Sequence, residues 1–414
     1  MMNREQLSGE RQMDFVRRFM YVREAGTDGE RQAADTIMEY LQSFGVTGRR
    51  EAFSFETIRT VCARLVVTEP YEKEYPVTIC RGAKNTAGEG IEAEFYYAEN
   101  GDAISLADAA GKIVMINKTD DKDTWKRLEE AGALAVVLVT GDLIDDAQDR
   151  NGAIMRIPAA PGTVYAATVH HYHAVEMVEK RASKARLVLT EEKYTCESEN
   201  IIARIEGTDK ADEVLTLTAH YDSVPAGPGA YDNMAGAAII MELCRYFAAN
   251  RPRRSVECIW FGAEEKGLRG SIAYVTAHEA ELAGHRFNMN VDLAGQLIGG
   301  NIFGVTSEKD ACEVLEKLAA ESKVGARVAH CIWASDSNSF AWKGVPAMTL
   351  NRNGYGMHTR FDTVDLLSAW SLERSAWQLG YITEALGMAD EMPFARSVAP
   401  NLAEELETFY AGRK

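Results

Sequence analysis

Between residues 201 and 350 the chain alternates short apolar runs with stretches of helical periodicity, and no other feature limits the fold as strongly. The apolar runs fall at 201–205, 214–219, 256–261, 287–291 and 346–350, with helices expected over 234–249 and 311–321. Strands that are apolar throughout must be covered on both faces. The alternation therefore predicts an α/β fold, a mostly parallel mixed sheet flanked by helices. Such sheets collect their ligands at the carboxyl ends of the strands.

The rest of the chain reads differently. Residues 13–20 and 29–44 have helical periodicity, the second with Ala33, Ala34, Ile37, Met38, Tyr40 and Leu41 on one face and Gly45 as its stop. From about residue 62 to 189 the pattern turns to β segments at 61–68, 113–117, 135–140 and 185–190, with a polar helix over 122–131 ended by Gly132. A length of 414 residues suits two domains of unequal size. The expected division is 1–61, N-terminal helices belonging with the main domain; 62–192, a β-rich insert; and 193–414, the main α/β domain.

A formal charge of −17 argues against nucleic acid, since phosphate binding needs clustered Lys and Arg and the basic runs here are short, such as Arg251-Pro252-Arg253-Arg254. The polar start lacks the apolar core of a secretory signal, and no run of about 18 apolar residues occurs, so a membrane partner is not expected. Seven cysteines, with no Cys-x-x-Cys pair, fit reduced thiols and a cytoplasmic location. Whether copies of the chain associate is left open.

Five residues of metal-binding type stand at the ends of the expected strands. The run 214–219 ends at His220-Tyr221-Asp222, where the period of two turns both polar groups to one side and lets Asp222 orient the imidazole of His220. A Gly-rich loop, Gly227-Pro228-Gly229-Ala230, brings Asp232 to the start of a helix, where Asp is ordinarily an N-cap and could instead bridge two ions. The run 256–261 leads into Glu264-Glu265, whose side chains diverge, so that one can ligate while the other accepts a proton from bound water. Asp292 follows 287–291, and His358 lies in a Gly-rich loop beyond 346–350. Each has a bland alternative as a cap or a solvated loop residue; their shared placement points to one centre.

Charge counting favours two ions. Each would take one imidazole and one carboxylate, with Asp232 shared, and a bridging hydroxide would neutralise the remaining positive charge. Imidazole with carboxylate suits zinc, with cobalt or manganese as alternatives. The competing cluster His170-His171-Tyr172-His173 falls in an expected helix of the insert, where a solvated surface accounts for it. No Gly-x-Ser-x-Gly elbow and no Gly-rich phosphate loop is present.

These residues resemble the co-catalytic zinc peptidases of the bacterial leucyl aminopeptidase and glutamate carboxypeptidase group, peptidase clan MH. The likeness rests on Ala219-His220-Tyr221-Asp222-Ser223, Asp232-Asn233-Met234-Ala235-Gly236, the run from Phe261 to Ser271 with Glu264 and Glu265, Asp292-Leu293-Ala294-Gly295, and His358-Thr359-Arg360-Phe361-Asp362-Thr363. It implies the zinc exopeptidase fold, one zinc on His220, Asp232 and Asp292, a second on Asp232, Glu265 and His358, and Glu264 as general base. It also implies that the insert, with Gly111-Lys112-Ile113 and Ala131-Gly132-Ala133, is a protease-associated domain that restricts or guides substrates. Two positions depart from the family pattern: Ser335-Asp336-Ser337 stands where Ser-Asp-His is frequent, and the oxyanion tyrosine of some members falls near Ile332, leaving Tyr355 as the substitute.

The expected activity is that of a zinc-dependent aminopeptidase cleaving N-terminal residues from peptides. A carboxypeptidase, dipeptidase or other amide hydrolase on the same scaffold is the alternative, with Arg352 and Arg360 available for a substrate carboxylate. A non-catalytic binding protein is the third reading.

Overall fold

In the computed structural model, residues 2–141, 157–158 and 162–411 are described. The chain divides into two units, one of residues 1–55 and 196–414 and the other of residues 56–195. Residues 142–156 and 159–161, which fall within the expected insert, lie outside the described residues, as do Met1 and 412–414.

The first unit is built on a mixed sheet. In spatial order it comprises the last residues of Lys184–Ile205, then Arg254–Phe261, Lys210–His220, His285–Val291, Ala347–Arg352, Asn301–Thr306 and Ala326–His330. Four consecutive strands, from Arg254–Phe261 to Ala347–Arg352, are mutually parallel. Lys184–Ile205 and Asn301–Thr306 run antiparallel to their inner neighbours.

Alternation along these strands divides the core between the two faces. Ala203, Leu217, Cys258 and Trp260 face one side, where they join helices Gly9–Arg17, Ala235–Ala249 and Ala369–Met388. Ile202, Ile259 and Phe261 face the other and meet Tyr274, Phe340 and Leu406 from helices Arg269–Ala277, Ser337–Trp342 and Pro400–Ala411. Trp260, wholly buried, also donates its indole N–H to Ala237 O at 3.1 Å, so its burial leaves no polar group unpaired. Each such large side chain removed from water stabilises the fold by about 1.5–3 kcal/mol.

Local signals set the helix ends. Thr27 accepts from Glu30 N to start Asp28–Ser43, and Ser8 accepts from Arg11 N to start Gly9–Arg17. Helix Ala235–Ala249 opens on Ala235-Gly236-Ala237-Ala238, small residues that allow close approach to the sheet. A Cβ at Gly236 would lie 2.4 Å from Asn233 Oδ1 and 2.7 Å from Val291 O.

The strands of the second unit run in the order Gly48–Glu69 (from Glu56), Lys73–Ile79, Tyr165–His170, Ala135–Thr140, Ile113–Asn117, Ile91–Tyr97 and Lys184–Ile205 (to Thr195). Ile113, Met115, Ala135 and Val137 pack on one face with Ala174 and Met177 of helix His171–Glu179. Val114, Ile116, Val136 and Leu138 pack on the other with Trp125 and Leu128 of helix Lys122–Glu130. Among the described residues no helix is long and apolar enough to cross a membrane.

Candidate metal centre

Because Arg254–Phe261, Lys210–His220, His285–Val291 and Ala347–Arg352 are parallel and adjacent, their carboxyl ends lie along one edge of the sheet. His220 is the last residue of its strand, Asp292 follows Val291 directly, and Glu264 and Glu265 lie three and four residues beyond Phe261. His358 comes from the loop after Arg352, and Asp232 from the turn Ala230–Met234 that precedes helix Ala235–Ala249. The sheet thus gathers residues up to 138 positions apart in sequence, from His220 to His358. Non-glycine residues with left-handed backbone cluster here: Ala263 (φ 54°) precedes the glutamates, Leu293 (φ 69°) follows Asp292, and His358 itself has φ 62°. Such conformations cost about 1–3 kcal/mol each and persist where surrounding contacts impose them.

Asp232 joins the two imidazoles. Its Oδ1 lies 3.1 Å from His220 Nε2 and its Oδ2 lies 3.0 Å from His358 Nε2. Asp292 Oδ1 stands 3.6 Å from His220 Nε2, and Glu265 Oε2 stands 3.3 Å from His358 Nε2. Two sets of candidate ligands result, His220 with Asp232 and Asp292, and Asp232 with Glu265 and His358. Glu264 belongs to neither; its Oε2 lies 4.0 Å from His220 Nε2.

Asp222 serves three neighbours. Its two oxygens accept from Glu264 N at 3.0 Å and Glu265 N at 3.2 Å, and Oδ1 lies 3.3 Å from His220 Nδ1, close enough for charge attraction but not aligned as a hydrogen bond. One buried carboxylate thus positions both glutamates and steadies the imidazole.

The centre is crowded with negative charge, and the protonation of its groups reflects that. Burial pushes the Glu264 carboxyl well above its ordinary range, Glu265 and Asp292 push it further, and His220 opposes. Burial and the Asp232 charge raise Glu265 to about 7. Hydrogen bonds to Asp232 and Glu265 raise His358 to about 10. Burial would lower His220, but Glu264, Asp222, Asp232 and Asp292 outweigh it and hold the imidazole well above its usual value. Asp232 stays below the ordinary carboxylate range despite its burial because both imidazoles face it. Protons therefore neutralise the cluster where cations could do so instead. Glu265 Oε1, buried and without a hydrogen-bond partner, is the kind of acceptor a cation would satisfy. The donor set fits divalent metal.

The structure brings His220, Asp222, Asp232, Glu264, Glu265, Asp292 and His358 together. Asp232 does not cap the helix that follows: its two oxygens face His220 and His358, and the N-cap of Ala235–Ala249 is Met234. Tyr355 is not among the gathered side chains; it stands 78% exposed, its backbone held by the Gln296 amide. His170 and His173 lie in the second unit, where His170 Nδ1 accepts from Tyr172 N at the start of a helix and His173 packs edge-on against Tyr75.

Several supporting residues escaped the sequence reading. Asp362 accepts from Tyr231 N at 2.6 Å and Asp232 N at 3.0 Å, fixing the turn that carries Asp232. Ser335 donates to Asp292 Oδ2 at 2.6 Å, and Asn290 donates to Ser335 in turn. Asn233 donates to Val291 O at 2.7 Å. Asp362, Ser335 and Asn233 all stand within or beside the quoted motifs, and that proximity was the available signal.

Fold and geometry together define an α/β domain with a candidate metal centre at the carboxyl ends of its parallel strands. Residues 200–383 match the model of Peptidase family M28. Aminopeptidase YwaD of Bacillus subtilis (strain 168) is 28% identical over 296 residues, 70% of this chain and 59% of that protein, so the match spans less than two thirds of its length. Carboxypeptidase Q of Bos taurus is 25% identical over 357 residues, 79% of this chain and 74% of that protein. The structure of BSAP, a zinc aminopeptidase from Bacillus subtilis, shares the fold with a TM-score of 0.78 at 20% identity, covering 96% of this chain and 99% of that one.

Proposed function

We propose that the chain is a zinc-dependent exopeptidase, an aminopeptidase that removes N-terminal residues from peptides. The observation that carries this reading is the shared position of Asp232, 3.1 Å from one imidazole and 3.0 Å from the other, with a further carboxylate beside each. Two zinc ions would be held by His220, Asp232 and Asp292 and by Asp232, Glu265 and His358. When bound, such ions supply Lewis acidity and lower the pKa of water toward neutrality.

The remaining chemistry belongs to the chain. Glu264, which stands outside both ligand sets with Oε2 4.0 Å from His220 Nε2, would in its carboxylate form take a proton from the attacking water and pass it to the departing amine nitrogen. Asp222 keeps Glu264 and Glu265 in their divergent orientations through their backbone N–H groups.

The charge balance favours the amino end of a peptide over the carboxyl end. The centre is rich in carboxylates, and a protonated amine complements them. Arg352, a candidate for binding a substrate carboxylate, is buried and donates to Gln296 O, Asn301 Oδ1 and Leu297 O, so its fork is committed to the fold. The carboxypeptidase reading stays in play through the likeness to carboxypeptidase Q and through Arg360.

Residues 62–192 are proposed as a protease-associated insert that restricts or guides substrates, a reading supported by the separate core of the second unit. A cytoplasmic location is proposed on the seven free thiols. Hydrolysis of a peptide panel with free and blocked ends, with and without a chelator, tests the activity: the reading requires loss on blocking the amino end and on chelation. Loss on blocking the carboxyl end instead selects the carboxypeptidase.

A further inference from the structure

Arg23 is wholly buried, yet its sequence neighbourhood gives it no part in the metal motifs. Its guanidinium donates to five main-chain carbonyls: Tyr221 O at 2.7 Å, Phe19 O at 2.7 Å, Tyr21 O at 3.1 Å, Pro228 O at 2.5 Å and Gly229 O at 3.1 Å. Its backbone is tied to the same region, Arg23 N donating to Ser223 Oγ at 2.9 Å and Ser223 N to Arg23 O at 3.2 Å.

These partners are not scattered. Tyr221 lies between His220 and Asp222, and Pro228 and Gly229 form the loop that delivers Asp232. Gly229 transmits the constraint directly. Its carbonyl also accepts from Met234 N at 3.1 Å, and a Cβ on it would come within 2.2 Å of Asp232 O. One side chain from the N-terminal segment thus holds both pieces of chain that present His220 and Asp232.

Burying a cation is costly, and the acceptors recorded for Arg23 are carbonyls, not carboxylates. Nε reaches Tyr221 O, the two N–H of Nη1 are shared among Phe19 O, Tyr21 O and Pro228 O, and Nη2 reaches Gly229 O, a spread that an ammonium with three N–H on one atom does not match. The chemistry selects arginine for its geometry.

We propose that Arg23 is a positioning residue of the metal centre, locking the Tyr221 strand end to the Pro228-Gly229 loop so that His220 and Asp232 meet the same ion. This rests on the zinc reading given above. The sign of its effect separates position from charge: deleting a nearby cation should by itself tighten binding of Zn²⁺, whereas releasing the loop should weaken it.

The test compares Arg23→Met, Arg23→Lys and wild type as full chains, reading zinc affinity by chelator competition, kcat and KM separately, and the melting temperature. Leu315→Ala, at a buried position of helix Lys309–Glu321, which packs on helix Ala369–Met388, is the control for general destabilisation. Arg23→Met is expected to weaken zinc about 10- to 100-fold, with kcat falling more than KM changes, and Arg23→Lys to fall between. Leu315→Ala should lower the melting temperature without moving zinc affinity. Wild-type or tighter zinc binding in Arg23→Met overturns the proposal. If that variant does not fold, wild-type affinity in Arg23→Lys does the same. A wild-type chain that binds no zinc sinks the metal reading itself, a distinct outcome under which the inference falls too.

Discussion

Replacing Asp222 by Asn changes almost nothing in shape and removes one acceptor from a site with three donors around it. Asp222 is fully buried and receives Glu264 N at 3.0 Å and Glu265 N at 3.2 Å on its two oxygens, with His220 Nδ1 3.3 Å from Oδ1. An asparagine offers one carbonyl oxygen, so its NH₂ must face a backbone N–H of one glutamate whichever way it turns. Losing a hydrogen bond to a charged acceptor costs about 1.5–3 kcal/mol. Loss of a group that orients metal ligands weakens metal binding about 10- to 100-fold, or ~1.4–2.7 kcal/mol, and the two figures overlap. A compensating term acts on the metal-free protein, since Asp222 repels Glu30 and Asp336. The melting temperature of the metal-free variant should therefore change little, while zinc adds less stability to it than to wild type. Chelator competition gives the zinc affinity, and thermal melts with and without zinc give the linked stability. An Asp222→Asn protein with wild-type zinc affinity and wild-type turnover would refute the role assigned to this carboxylate.

Glu264→Gln keeps both ligand sets, so zinc should stay bound while kcat falls about 10²- to 10⁴-fold; near-normal turnover would remove Glu264 from the proton transfer. Zinc must displace protons from the centre, because His358 is raised to about 10 and Glu265 to about 7 in the metal-free cluster. Affinity should rise between pH 6 and pH 8, with proton release visible by calorimetry in buffers of different ionisation enthalpy, and a pH-independent affinity would contradict this. Burial raises Glu30 to about 8 from its ordinary 4.5, so the folded chain keeps a proton that the unfolded chain releases in that window. Stability should then decline as pH rises from 4.5 to 8, and Glu30→Gln should flatten the decline in urea titrations; equal slopes in the two proteins would show that Glu30 is not the group responsible.

The sheet of the first unit was legible because its strands are short, apolar on both faces and bounded by turn residues. The run 256–261 sits inside Arg254–Phe261, and the helix expected over 311–321 lies within Lys309–Glu321. What escaped had a weaker pattern. Asn301–Thr306 is wholly buried but contains Gly304 and two polar ends, and Ala326–His330, at the sheet edge, is only partly buried. In the second unit Ile91–Tyr97 alternates Glu92 and Glu94 with apolar neighbours and reads as polar when averaged. The strand expected to begin at residue 61 begins at Gly48; over 51–58 half-buried Glu51, Phe53, Phe55 and Thr57 alternate with exposed residues, and a face of such mixed polarity does not announce itself.

The candidate ligands were legible through their positions at strand ends, whereas their supports were not. Asp362 and Arg23 act through backbone groups of the loop around Gly229 and Asp232, and contacts of that kind leave no residue-type signature. Tyr355 illustrates the converse: a suitable side chain near His358 in sequence stands exposed in the structure. Spacing identified which residues could ligate; only the fold identified what holds them.

The zinc content of the chain tests the two-ion centre most directly. Metal analysis of wild type, His220→Ala and His358→Ala, each equilibrated with zinc and freed of excess, should find two ions per wild-type chain and one fewer in each variant, since the histidines stand in different ligand sets around the shared Asp232. A wild-type chain that retains one ion or none, or two variants that both keep the full complement, would contradict it.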